Sequence, residues 1–399
     1  MSINRNEAVP IYRICADGRP VEFGTLTIVD RGGTLLSPSH PIEWLRDDFA
    51  CGVFPGVPWF LEDSRPQGFL GRYLARRQAN ELGLPSDIAL WNDDAVLTSL
   101  VHGGEGASGN FLLGECSLER ALHAGPGPVP AALRDQCYSG LAAQALAGQS
   151  AGSWAGGEQP KFTTAVVEAN GETRHVIVKF SEPIDSHAGA RRWADLLICE
   201  HIAGELMAER GDGGSITELV WSRGRLCLEV TRFDRIGARG RRGCVTLAAW
   251  SDAHDGERDD WASATLRMHR GGWTGKETHE QVRLRLWFGR LIANTDMHFG
   301  NLSFFLDNGL PLQLTPSYDM LPMLYRPAGS GEVVARDFQV TAPTAVDLPF
   351  WSVAALWAEI FWQRVAGHGG VSNDFRRIAE ANFGKVSRAR SRFSGCGVY

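Results

Sequence analysis

Asp296-Met297-His298-Phe299-Gly300-Asn301, followed downstream by Tyr318-Asp319-Met320-Leu321-Pro322, are the two stretches on which the reading of this chain turns. Phosphoryl transfer from a nucleotide needs a cradle for the phosphates, a cation on them, two metal ligands and a carboxylate that orients the attacking hydroxyl. Asp296 and Asn301 stand five residues apart across a loop that follows a helical pattern and precedes the apolar run Leu302 to Leu306. That spacing lets a carboxylate and an amide point into one cleft. A second short apolar run, Leu310 to Leu314, leads to Asp319, so a hairpin can return Asp319 to the side of Asn301. One carboxylate and one amide suit magnesium, which keeps its remaining positions for water and phosphate. Asp296, the carboxylate left over, becomes the base. The plainer readings are loop side chains capping backbone groups, an N-cap role for Asp319, and His298 as a hydrogen-bonded organiser of its own loop.

Working outward, Lys179 closes the apolar strand Val176-Ile177-Val178-Lys179-Phe180. A point charge at the end of a buried strand is a natural partner for phosphates, whereas the plain alternative is a strand-edge lysine in water. Ala151-Gly152-Ser153-Trp154-Ala155-Gly156-Gly157-Glu158-Gln159-Pro160-Lys161 precedes that region and offers backbone N–H groups to cover phosphates. It is neither a Walker A sequence, since Glu158 stands where lysine is required, nor a G-x-G-x-x-G; the alternative is a flexible linker.

The remaining pattern gives a β-rich half followed by a mainly helical half. Ile11 to Ile14 and Gly24 to Val29 alternate as strands. Phe162 to Glu168 and Arg174 to Phe180 flank Ala169-Asn170-Gly171-Glu172, whose Asn-Gly step favours a tight hairpin. Helices are expected over Arg72 to Leu82, Leu133 to Leu146, Ala190 to Arg210 and from Glu277 onward, with short strands at Ile216 to Trp221 and Leu226 to Phe233. The fold class is α+β in two lobes. Residues 1–235 form the N-terminal lobe, with a small β-rich subdomain at 1–130 and a nucleotide-binding part at 131–235, and residues 236–399 form the helical lobe.

The chain of 399 residues is 44% hydrophobic and carries a formal charge of −6, which disfavours a broad nucleic-acid surface built on phosphate neutralisation. Arg235 to Arg242 is the one basic run, expected as a solvated loop able to attract an acidic partner. No stretch suits a bilayer span or a secretory signal, and the eight cysteines never form a C-x-x-C pair, so a cytoplasmic protein with reduced thiols and no zinc site is expected.

The motifs S-x-A-G-G-E-Q-P-K-F (153–162), V-I-V-K-F (176–180), T-R-F-D-R (231–235), N-T-D-M-H-F-G-N-L (294–302) and S-Y-D-M-L-P (317–322), in that order, resemble the HipA family of bacterial serine/threonine kinases, toxins of toxin–antitoxin systems. Pro66-Gln67-Gly68-Phe69-Leu70-Gly71-Arg72 is similar to its YjjJ (HipH) branch. The resemblance implies a two-lobed, protein-kinase-like fold that uses ATP and Mg2+ on a protein serine or threonine. Asp296 would be the proton acceptor, Asn301 and Asp319 the magnesium ligands, and Lys179 a phosphate contact with His298 near it. Gly152, Ser153, Trp154, Ala155, Gly156 and Gly157 would cover the phosphates, and Thr231-Arg232-Phe233 would form the hinge beside adenine. Ser153 would be a site of self-phosphorylation, although it stands one residue further from the Gln than in the founding member. The carboxylate that pairs with Lys179 would be Asp195 or Glu200. Relatives in the branch can carry a winged or helix-turn-helix segment ahead of the sheet, whereas this chain begins almost directly with the sheet, so no direct DNA binding is expected of it; a separate antitoxin is a candidate partner. The competing readings are a small-molecule phosphotransferase of antibiotic- or sugar-kinase type and an inactive ATP-binding scaffold that docks a regulatory protein.

Overall fold

The computed structural model describes residues 7–29, 33–45, 52–123, 127–148, 159–307 and 309–394. The glycine-rich stretch Gly152 to Gly157, including Ser153, Trp154 and Ala155, lies outside the described residues. The chain is β-rich at first and mainly helical later, as its patterning requires. Two compact units interleave along it. One comprises Met1–Val178, Thr231–Glu257 and Ser303–Gln313; the other comprises Lys179–Val230, Arg258–Leu302 and Leu314–Tyr399.

In the first unit, strands Ala8–Ile14, Pro20–Ile28, Thr34–Pro38, Val53–Phe54 and Phe111–Leu113 build a five-stranded sheet. Its register places Ala8 opposite Thr27 and Ile11 opposite Gly24. Gly24 is required by space, because a Cβ there would lie 2.4 Å from the Ser37 carbonyl oxygen. Alternation sends Phe23 and Phe111 inward, where Phe23 stacks on Trp44 at 6.0 Å and meets Phe111 edge-on at 4.8 Å. Aromatic pairs of this kind contribute about 0.5–1.5 kcal/mol beyond their burial. The helix Arg134–Leu146 buries Tyr138, Ala142 and Ala145, and the Tyr138 ring meets Phe162 at 5.4 Å. The turn between strands Lys161–Val167 and Thr173–Phe180 closes with Glu168 N–H donating to Glu172 O and Gly171 at φ +85°. The Asn-Gly signal therefore marks the turn correctly, since a left-handed residue is what such a connection needs.

The basic run meets its expectation only at its tip, where Ile236 to Arg239 are exposed; its other arginines turn inward. Asp234 is 5% exposed and accepts from Arg232 Nε at 2.9 Å, Arg235 Nη1 at 2.7 Å and the Gly109 N–H at 2.9 Å. Arg235 also donates to the Ala107 and Gly109 carbonyls, and Arg241 donates to the Glu105 carbonyl at 2.7 Å. Arg242 lies over the Phe305 ring at 3.4 Å and pairs with Asp307. Arg235 and Arg241 fold inward because the Asp234 carboxylate and three carbonyls match their forked donors, a geometry that charge counting cannot see. Burial would raise the Asp234 carboxyl, but Arg232 and Arg235 outweigh it and hold the group well below the usual range.

Asp63, on the short turn Trp59–Ser64, accepts from both the N–H and the hydroxyl of Thr246 at 2.6 and 2.7 Å. Thr246 in turn caps the helix Leu247–His254. Burial pushes the Asp63 carboxyl up to about 6 despite those two donors.

The second unit is dominated by helices Ala188–Glu209, Trp261–Arg270, Lys276–Leu291, Leu348–Gly367 and Asn373–Ser394. Along Leu348–Gly367, Trp351, Ala354, Ala355, Ala358, Phe361, Trp362 and Val365 are buried, the three-and-four spacing of one helix face. Phe361 meets Phe288 of Lys276–Leu291 edge-on at 6.1 Å, and Trp362 Nε1 donates to the Leu291 carbonyl at 3.1 Å. Burying side chains of this size stabilises by about 1.5–3 kcal/mol each. The helix that delivers the Asp296 loop is thereby fixed at its C-terminal end. Among the described residues no helix is long and apolar enough to cross a membrane.

Candidate active site

Lys179 is the penultimate residue of strand Thr173–Phe180 and is 6% exposed. At its end, Ser181 N–H donates to the Leu226 carbonyl within the second unit, and Arg232 N–H donates to the His175 carbonyl within the first. The Lys179 ammonium donates to Glu200 Oε1 at 2.5 Å and to Asp319 Oδ1. The choice between Asp195 and Glu200 follows from helix geometry, since residues five apart are rotated by roughly 140° and only one can face the strand. Glu200 does. Asp195 instead accepts from the N–H and hydroxyl of Ser372 at 2.8 and 2.6 Å. Burial alone would lower the Lys179 pKa, but Asp319 and Glu200 outweigh it, so the ammonium stays charged above its ordinary value.

The helix Lys276–Leu291 ends in a Schellman closure, in which Asn294 N–H donates to Gly289 O at 2.9 Å and Ala293 N–H to Arg290 O at 3.3 Å. Ala293 takes the left-handed position at φ +61°. The loop that follows is held by its own polar groups. Asn294 Oδ1 accepts from Asp296 N–H at 3.0 Å, and Asn301 Nδ2 donates to the Asp296 carbonyl at 2.8 Å. The backbone of Asp296 is thus gripped on both sides while the residue itself is half-buried. His298 is exposed; its Nδ1 accepts from Gly300 N–H at 3.1 Å, and its carbonyl accepts from Trp261 Nε1 at 3.0 Å.

Asp319 is reached through strands Ser303–Phe305 and Gln313–Leu314, neighbours in one sheet as the expected hairpin requires, although the second strand is shorter than Leu310 to Leu314. Asp319 sits at φ +53°, a left-handed conformation that aspartate tolerates better than most residues. Its carbonyl accepts from Asn294 Nδ2 at 3.3 Å, Tyr318 Oη donates to the Gly300 carbonyl at 2.9 Å, and Leu324 N–H donates to the Ala293 carbonyl at 3.1 Å. These bonds knit the Asp296 loop to the Asp319 turn. Lys179, Glu200, Asn294, Asp296, His298, Asn301 and Asp319 all belong to the second unit.

The donor set fits magnesium. With Nδ2 of Asn301 engaged by a carbonyl, its Oδ1 is the atom left to serve as a hard oxygen ligand, and the Asp319 side chain is 31% exposed. Among the described residues no group of three or more His, Cys, Asp or Glu is gathered to hold a metal, so such an ion would depend on phosphate and water for most of its shell.

Thr231 to Phe233, the expected hinge, belong to the first unit. Thr231 ends its strand and its hydroxyl accepts from Arg174, the Arg232 side chain is spent on Asp234, and the Phe233 ring meets Phe305 at 5.9 Å. Sequence reasoning passed over Asn294 and Tyr318. The Asn-x-Asp spacing of an Asx turn was the available signal for the first.

Residues 5–122 match the family described as YjjJ-like toxin, middle domain, and residues 153–387 match the HipA-like C-terminal domain. Toxin YjjJ of Escherichia coli (strain K12) is 37% identical over 396 residues, spanning 98% of this chain and 86% of the relative. The chain belongs to the HipA-like toxin family. Its likeness to the YjjJ toxin runs through both matched regions, so membership covers the early sheet as well as the site. Among solved structures, Shewanella oneidensis MR-1 HipA, determined with HipB and its operator DNA, superposes with a TM-score of 0.57 at 16% identity over 97% of both chains. The chain therefore has the HipA fold.

Proposed function

We propose that this member of the HipA-like family transfers the γ-phosphoryl group of ATP to a serine or threonine hydroxyl of a protein. The observation that carries the reading is the buried Lys179 ammonium held by both Glu200 and Asp319 beside a loop that presents Asp296 and Asn301. Lysine between two carboxylates, one of them half open to solvent, is a cation that can exchange a carboxylate for phosphate oxygens. Magnesium, held by Asn301 and Asp319, would neutralise charge on the phosphates. Asp296 would accept the proton of the attacking hydroxyl as the new O–P bond forms and the bond to the bridging oxygen breaks, releasing ADP. Gly152 to Gly157 would cover the phosphates, Thr231 to Phe233 would meet adenine, His298 would stand near the phosphates, and Ser153 would accept phosphate in self-inhibition. The reading also takes the chain to be cytoplasmic and to pair with a separate antitoxin, as the Shewanella HipA is seen with HipB.

The test is transfer from γ-labelled ATP by the pure protein, alone and with cell lysate, comparing the native chain with Asp296→Ala. Labelled protein that disappears in the variant, with Mg·ATP binding retained, supports the assignment. Undiminished labelling by Asp296→Ala overturns it. Phosphate appearing only on small molecules, with none on Ser153 or any lysate protein by mass spectrometry, favours a small-molecule phosphotransferase instead.

A further inference from the structure

We infer that Asn294 is a positioning residue that fixes the catalytic aspartate and the metal-binding aspartate in one frame, an inference that rests on the phosphotransferase reading above. Asn294 is 7% exposed, and its amide is spent at both ends on the two halves of the site. Oδ1 accepts the Asp296 N–H at 3.0 Å and Nδ2 donates to the Asp319 carbonyl at 3.3 Å, with Met320 Sδ at 3.7 Å from the same nitrogen. Its own backbone N–H closes the helix Lys276–Leu291 through Gly289, so the amide projects from a fixed point. Gly289 leaves room for this arrangement, because a Cβ there would meet Met297 Sδ at 2.4 Å and Met320 Sδ at 3.2 Å.

The side-chain requirement is narrow. The amide must carry an acceptor one bond from Cβ–Cγ for the turn to Asp296, and a donor on the same carbon for Asp319. Serine keeps the acceptor and is too short for the second bond. Aspartate keeps the acceptor, loses the donor and adds a charge beside Asp319. Glutamine is too long for the turn. The Asp319 backbone is held at φ +53°, outside the broad minima, so an external hold on its carbonyl bears on where its carboxylate points. Misplacement by about 1 Å in such a constellation costs on the order of 100-fold in rate.

The experiment compares native chain, Asn294→Ala and Asn294→Ser for kcat, KM for ATP, half-saturating Mg2+ and melting temperature. Asn294→Ala is expected to lower kcat by about 10- to 100-fold and to raise the magnesium requirement several-fold, the range typical of residues that orient metal ligands. Asn294→Ser, which keeps the turn to Asp296, is expected to retain more of kcat while showing the same shift in magnesium requirement. Should Asn294→Ala fail to fold, the serine variant alone carries the comparison. A lowered melting temperature with an unmoved magnesium requirement in both variants overturns the inference and leaves the phosphotransferase reading standing. A native chain that neither binds Mg·ATP by calorimetry nor transfers phosphate overturns that reading, and the inference with it.

Discussion

The contact between Lys179 and Glu200 yields a quantitative forecast for a double-mutant cycle. The two groups are 6% and 4% exposed and 2.5 Å apart. At an effective dielectric of about 20, opposite unit charges at that separation attract by roughly 6–7 kcal/mol before desolvation, which costs several kcal/mol per ion. Removing one partner of a buried pair costs about 3–5 kcal/mol because the other is left without compensation. Lys179→Met takes the cation from both Glu200 and Asp319 and should fall in that range. Glu200→Gln leaves Lys179 with Asp319, so about 2–3 kcal/mol is expected. The double variant leaves no buried charge at the pair and should cost about 3–4 kcal/mol, well short of the sum, for a coupling of about 2–3 kcal/mol. Urea unfolding at neutral pH measures these values, provided tryptophan fluorescence and far-UV circular dichroism give coincident transitions, since two compact units need not unfold together. Asp195→Asn is the control: its carboxylate serves Ser372, so its cost should add to that of Lys179→Met within about 0.5 kcal/mol. Additivity for Glu200, or coupling for Asp195, would refute the assignment of the lysine's partner.

Two further outcomes are expected. The Asp63 carboxyl is raised by burial from the usual 3.8 to about 6, so the stability it contributes as a neutral acid is complete below about pH 3.8 and is lost as pH rises through about 6. The ceiling is about 3 kcal/mol at about 1.4 kcal/mol per unit, and the stability gap between native chain and Asp63→Asn should therefore change between about pH 3.8 and pH 6; a constant gap contradicts it. Ala293→Gly relieves a left-handed alanine at φ +61° and, after the entropy glycine adds to the unfolded chain, should stabilise by about 0.5–1 kcal/mol in the same urea assay.

Much of the site was legible because its chemistry is local. Asp296 and Asn301 lie on one loop, and the apolar run before Lys179 already implied a buried lysine. The helix Arg134–Leu146 and the Asn-Gly turn were likewise written in period and turn chemistry. What escaped depended on long-range partners. Glu200 is separated from Asp195 only by where helix Ala188–Glu209 faces, and Asn294 reveals its second bond only once Asp319 has returned to it. The inward arginines were misread for the same reason, since the carbonyls of Glu105, Ala107 and Gly109 that receive them stand more than a hundred residues earlier in the chain.

That clamp also bears on the order in which the chain can acquire structure. Asp234 and its arginines bind a segment near residue 109, and the unit that contains them is completed only by Ser303–Gln313. During synthesis the early sheet must wait for its polar anchors, and those anchors wait in turn for a strand emerging still later. A nascent chain halted before Arg235 would hold Asp234 without one of the cations that set its ionisation, and one halted before Thr246 would hold Asp63 without its two donors. Such sequence-distant closure predisposes to slow folding and to dependence on chaperones. Expressing the two matched regions as separate fragments would divide one folding unit rather than separate two.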